Sequence, residues 1–99
     1  MTIDFQKDGT KLTVKPVGKL DTMNAPELDR RLQPRLHGVT EIIMDMGGVE
    51  YISSSGLRVL LAAEQEMEER DGEMRVINVN SYVREVFSIT GFLDILNVE

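Results

Sequence analysis

The sequence predicts an α/β fold: a small mixed β-sheet of about four strands, an opening hairpin plus parallel strands, with three to four helices packed on it. Three observations lead there. Two stretches near the start alternate apolar and polar residues around an Asp8-Gly9 turn. Two later apolar runs, Ile42–Met46 and Met74–Val79, have the length and branched content of buried strands. Each is followed by a segment with helical spacing, and right-handed crossovers between successive strands make them parallel.

In chain order, Ile3 and Phe5 alternate with Asp4 and Gln6 to give a first strand. Lys7-Asp8-Gly9-Thr10 is a hairpin turn. Leu12 and Val14 mark a second strand, which is expected to end, bulge or face an edge at Pro16, because proline has no N–H for a central ladder. Gly18-Lys19-Leu20-Asp21-Thr22 reads as a loop. Thr22 or Asn24 can cap the next helix, with Pro26 in its first turn. Leu28, Leu32 and Leu36 form its buried stripe, Pro34 predicts a kink or early end, and Gly38 closes it.

Ile42–Met46 is apolar apart from Asp45, as in a strand covered on both faces. The segment Tyr51–Leu57 then connects strand to helix, and the central helix runs from about Ser55 to Arg70, with Leu57, Leu60, Leu61 and Met67 on its apolar face. Asp71-Gly72 ends it. After the fourth strand, Asn80 or Ser81 caps a third helix carrying Val83, Val86 and Phe87, with Gly91 just past its end. Phe92–Leu96 reads as a last short turn of helix or strand.

Ninety-nine residues make one domain, 1–99, with a single modest core. The absence of Cys rules out a disulfide framework and a thiolate metal site. The longest unbroken apolar run, Val59–Ala63, is far short of a membrane span. Met1–Phe5 shows no basic-then-apolar export signal, so a cytoplasmic protein is expected. A formal net charge of −6 argues against nucleic acid or an anionic membrane as partner and suits protein partners. All four lysines fall within the first nineteen residues. The acids crowd around the end of the central helix at Glu64, Glu66, Glu68, Glu69, Asp71 and Glu73. They are either a solvated face, eased by an i,i+4 pair of Glu66 with Arg70, or a docking surface for a basic partner.

The chemistry concentrates in Tyr51-Ile52-Ser53-Ser54-Ser55-Gly56-Leu57, three hydroxyls pinned between an apolar run and a helix. Such connections lie at the carboxyl edge of a sheet, where ligands and modifications sit, and a helix amino end can accept a phosphate. Read from spacing alone, a serine here caps the helix. Asp45 ends an otherwise buried strand, so its carboxylate must be hydrogen-bonded, and bracing the Tyr51–Ser55 loop is its expected role. Gly56 permits close backbone approach or opens the helix. The single histidine, His37, reads as a surface residue at a helix carboxyl end. With one histidine, no cysteine and scattered acids, no metal ligand set is visible. Neither is a Gly-x-Ser-x-Gly elbow with its base, nor a Gly-Lys-Ser/Thr phosphate loop.

Asp45-Met46-Gly47-Gly48-Val49-Glu50-Tyr51-Ile52-Ser53-Ser54-Ser55-Gly56-Leu57 resembles the signature of the anti-sigma factor antagonists, part of the larger class of sulphate-transporter and anti-sigma-antagonist (STAS) domains. The resemblance extends through Gly18-Lys19-Leu20-Asp21 and Ser88-Ile89-Thr90-Gly91, nearly the full chain. It implies a small mixed sheet with helices packed against it. The family's phosphorylated serine, two before the glycine, falls on Ser54. The residue before it is often aspartate; here it is Ser53, an alternative acceptor whose presence removes a negative charge beside the site. The family often has Asp or Asn at the position of Asp45, which fits bracing. Asp21 matches the loop beside the phosphorylation site, where it either orients the serine hydroxyl, contacts the partner, or is a loop aspartate that makes an Asx-turn or caps the next helix.

The resemblance implies an interaction protein and not an enzyme, with no cofactor of its own. Its unphosphorylated form would bind an anti-sigma factor that is also a serine kinase, and so free a sigma factor. ATP and Mg²⁺ belong to that partner. Phosphorylation of Ser54 would dissociate the complex, and a serine phosphatase would reset it. The partner surface comprises Asp21, Thr22, Ser53, Ser54, Ser55, Gly56 and Arg58. Two alternatives stand beside this. One is a STAS partner-switch or scaffold module with a non-sigma target, in a stress-sensing or lipid-transport assembly. The other is a small hydrolase or nucleotide-binding enzyme using the serine cluster, which phosphate capture without turnover would exclude.

Overall fold

The computed structural model describes residues 1–99. Its elements are strands β1 (Thr2–Asp8) and β2 (Lys11–Leu20), helix α1 (Ala25–Leu32), strands β3 (Glu41–Asp45) and β4 (Gly48–Ile52), helix α2 (Ser54–Glu69), strand β5 (Glu73–Ile77), helix α3 (Ser81–Thr90) and strand β6 (Asn97–Val98). Short 3₁₀ turns follow α1 at Gln33–Arg35 and α3 at Phe92–Asp94. The sheet runs β1-β2-β3-β5-β6, with β4 paired to β2. Only β1 and β2 are antiparallel; every later pairing is parallel.

The predicted class holds, and the strand count rises from about four to six. The additions are β4, inside what the sequence suggests is a strand-to-helix connection, and the two-residue β6, which adds to β5 at Arg75 and Val76. β2 also continues to Leu20, through Pro16 and through residues expected to form a loop. The register explains how a central strand tolerates the proline. β3 pairs with β2 as far as Val14, and β4 pairs with it from Val17 onward. Pro16 lies in the gap where β2 changes neighbour, so its missing N–H interrupts neither parallel ladder, while on the β1 side it stands opposite Ile3. A register shift between Gly18 and Lys19 marks an irregularity in the second ladder.

One face of the sheet carries the core. Leu12, Val14, Leu20, Ile42, Met44, Val49, Ile52, Met74 and Val76 are buried there against Leu28 and Leu32 of α1, Leu57, Leu60, Ala63 and Met67 of α2, and Val83 and Phe87 of α3. Each fully buried Leu, Met or Phe side chain stabilises the fold by roughly 1.5–3 kcal/mol before the cost of ordering it. α1 stops at Leu32 because Pro34 cannot continue it, and the 3₁₀ turn carries the stripe on to a buried Leu36. The other face lies outside that core cluster, yet β3 is buried there too, at Ile43. Its Ile43 sits in register between Thr13 and Arg75. Arg75 spans that face, 3.2 Å from Glu41 and 3.5 Å from Glu99. At the far end of α2 the expected Glu66–Arg70 pair forms at 2.8 Å.

This topology sets up the site. β2 and β4 are parallel neighbours that end together at Leu20 and Ile52. The Asp21–Asn24 turn and the amino end of α2 therefore emerge side by side from the carboxyl edge of the sheet.

Candidate functional site

The three serines occupy different positions. Ser53 is the N-cap of α2: its backbone is extended, and its Oγ accepts from the Gly56 amide at 3.4 Å. The same hydroxyl donates to the Leu20 carbonyl at 3.5 Å, and the Ser53 amide donates to that carbonyl at 3.0 Å. Aspartate at this position could accept but not donate, so serine is the side chain that ties α2 to the end of β2 through both bonds. The helix thus begins one residue before the expected Ser55, and capping falls to Ser53. Ser54 is the first helical residue, exposed, and its hydroxyl makes no hydrogen bond within the chain. Ser55 is half-buried, and Gly56 is buried. A Cβ on Gly56 would stand 2.6 Å from the Leu20 carbonyl oxygen and 2.8 Å from Ile52 Cγ1, so any side chain here would force the closely packed backbone to shift.

Asp21 makes the Asx-turn. Its Oδ1 accepts from the amides of Met23 at 3.1 Å and Asn24 at 3.0 Å, while its carbonyl accepts from Ala25 at 2.8 Å. It is not hydrogen-bonded to a serine. Asn24, at the N-cap position of α1, makes no side-chain cap and instead donates to the Lys19 carbonyl at 2.8 Å. The turn and β4 enclose an open cleft of about 390 Å³ lined by Lys19, Asp21, Thr22, Met23, Tyr51 and Ser53. Three of the expected partner-surface residues, Asp21, Thr22 and Ser53, therefore share one concavity. Arg58 lies one turn along α2 from Ser54 and is exposed.

Met23 and Tyr51 were not among the expected partner-surface residues. Met23 is 84 % exposed on the turn. Tyr51 stacks on Tyr82 at the start of α3, with ring centroids 6.0 Å apart and planes 20° from parallel. A methionine next to Asp21-Thr22, and an aromatic one residue before the buried Ile52, were the only available signals.

Asp45 braces a different loop from the one expected. Its Oδ1 accepts from the Gly47 amide at 3.0 Å and from Asn78 Nδ2 at 3.1 Å, fixing the turn between β3 and β4 and the segment after β5. Partial burial pushes this carboxyl up, but the Gly47 amide, the Asn78 amide and the charge of Lys15 together outweigh it and hold it below the ordinary value. The segment that follows is tied down by Asn80, which caps α3 by accepting from the Val83 amide at 2.7 Å and donates to the Val49 carbonyl of β4 at 3.0 Å. Far from the site on α2, burial raises the Glu64 carboxyl, helped by the charges of Glu68 and Glu73. His37 is exposed after α1, and its carbonyl accepts from Lys7 at 2.7 Å.

The geometry offers one exposed, unengaged hydroxyl at a helix start, beside a cleft shaped by two loops. Comparison with known proteins supplies a family for this arrangement. Residues 2–99 match the STAS domain family. The chain is 37 % identical over 82 residues to BtrV of Bordetella bronchiseptica, covering 82 % of this chain and 71 % of that protein. It is 31 % identical over 86 residues to the anti-sigma-B factor antagonist of Staphylococcus aureus, covering 86 % and 80 % respectively. Its fold is similar to that of the Bacillus cell fate determinant SpoIIAA in the phosphorylated form, with a TM-score of 0.77, 19 % identity, and coverage of 99 % of this chain and 91 % of that one.

Proposed function

The chain belongs to the STAS domain family, of the anti-sigma factor antagonist type, and we propose that it is a binding switch thrown by phosphorylation of Ser54. In its unmodified form it binds an anti-sigma factor that is also a serine kinase, and that binding frees a sigma factor. The single observation that carries this reading is the division of labour between adjacent serines. Ser53 is committed to the cap, whereas Ser54 presents a free, exposed hydroxyl.

In the transfer step, the partner's bound ATP supplies the phosphoryl group. The Ser54 Oγ–P bond forms, the bond from the γ-phosphorus to the β–γ bridging oxygen breaks, ADP leaves, and the hydroxyl proton passes to a base of the kinase. The product carries nearly two added negative charges and three strong acceptor oxygens in the middle of the contact surface. Repulsion, desolvation and bulk then dissociate the complex without any change of fold. A serine phosphatase restores the free hydroxyl. The chain acts as a binding module rather than an enzyme, and it works in the cytoplasm, where sigma factors meet their polymerase; no helix is long and apolar enough to cross a membrane.

Titration calorimetry against the kinase tests this. Unmodified protein should bind, and protein carrying phosphoserine at position 54 should bind about a hundredfold more weakly, equivalent to about 2.7 kcal/mol. Equal affinities would overturn the switch.

A further inference from the structure

We propose that Arg58 is the internal partner of the phosphate on Ser54, so that modification also withdraws this arginine from the contact surface. The inference rests on the reading of Ser54 as the modified residue and goes beyond it by naming the group that receives the charge. Four of the chain's seven arginines are engaged. Arg31, Arg70 and Arg75 make ion pairs, and Arg35 lies over the Phe5 ring at 4.1 Å. Arg58 is exposed and makes neither an ion pair nor a hydrogen bond.

Ser54 and Arg58 stand four residues apart on α2, which is continuous from Ser54 to Glu69. At that spacing the two side chains lie on one face with their Cβ atoms about 6 Å apart, and an anion on the amino-terminal side of a cation is the favourable order. The first turn carries no acidic residue to compete for the guanidinium. Arginine's planar fork suits two phosphate oxygens at once. Before modification Arg58 is free to meet a partner's acidic or polar group. Afterwards it is occupied within its own helix. Phosphorylation therefore both adds a repulsive charge and removes an attractive one.

The test uses full-length protein with phosphoserine installed at position 54 during translation, so it needs no kinase. Failure of Ser54 as the natural acceptor would show only in kinase transfer, not here. The phosphate's second ionisation, followed by its ³¹P shift, should lie about 0.3 unit below that in the Arg58→Gln protein, about twofold in proton affinity. Arg58→Lys should fall between the two. The difference should vanish in 1 M salt, where the screening length is about 3 Å. A second measurement needs no variant: the Arg58 Nε–H resonance should move with the phosphate titration. Superimposable titrations for the parent and Arg58→Gln proteins, or an Arg58 resonance blind to the phosphate, would overturn the proposal.

Discussion

Ser53 Oγ meets the Gly56 amide at 3.4 Å, and that contact separates two jobs that a run of three serines could have shared. Ser53 caps the helix and ties it to Leu20 at the end of β2; Ser54 is left free. The two substitutions should therefore differ. Ser53→Ala should lower stability by about 0.5–1 kcal/mol through loss of the cap, and Ser54→Ala should stay within about 0.5 kcal/mol of the parent. Urea denaturation of both proteins checks this.

Gly56→Ala should destabilise despite alanine's better helix propensity. The gain from propensity is about 1 kcal/mol. Against it, the new methyl would press on the Leu20 carbonyl, which also holds the Ser53 amide and so cannot move away freely. Overpacking of this kind costs about 1–3 kcal/mol, and the net loss should be about 1 kcal/mol by denaturant titration.

Asp45 should contribute stability at neutral pH that is lost in acid. Its carboxyl is held low in the folded chain, so the contribution is present above the unfolded value near 3.9 and disappears as pH falls through the folded value. Asp45→Asn keeps an acceptor oxygen but loses the charge that strengthens the bonds from Gly47 and Asn78, so it should cost about 1 kcal/mol at pH 7, and the difference from the parent should shrink in acid. Denaturation midpoints at a series of pH values give the answer.

Glu64 should act with the opposite sign. One of its oxygens is buried without a hydrogen-bond partner, and its carboxyl is raised in the fold. Protonation is thus favoured by folding. The stability it brings is complete below the unfolded value near 4.3 and is lost as pH rises through the folded value. Glu64→Gln should therefore melt higher than the parent at pH 7–8 and converge with it in acid. A lower melting temperature at neutral pH would contradict this.

Much of the fold was legible because its signals are periodic or local. The Leu28-Leu32-Leu36 stripe, the break at Pro34, the Asn80 cap and the left-handed Gly91 each announce themselves in a few residues. β4 was not legible. It follows two glycines, is five residues long, and buries only Val49 and Ile52 while exposing Glu50 and Tyr51, so neither alternation nor an apolar run marks it. β6 exists only because β5 offers it an edge. Pro16 misled the reading of β2 because a change of neighbour is a property of the sheet, not of the segment. At the site, Ser53 and Ser54 have equal intrinsic capping preference, and only the position of Leu20 decides which of them turns inward. Met23 and Tyr51 were missed because single apolar residues on a turn and an edge strand carry no period.

The central claim is that Ser54 is the switch, and phosphate transfer tests it most directly. Labelled ATP and the partner kinase, or an extract containing it, should label the intact protein and Ser53→Ala to one phosphate per chain and leave Ser54→Ala unlabelled. Label retained on Ser54→Ala and lost from Ser53→Ala would move the acceptor by one residue and contradict the assignment. Absence of label on the intact protein, with an active kinase demonstrated in the same mixture, would contradict the switch itself.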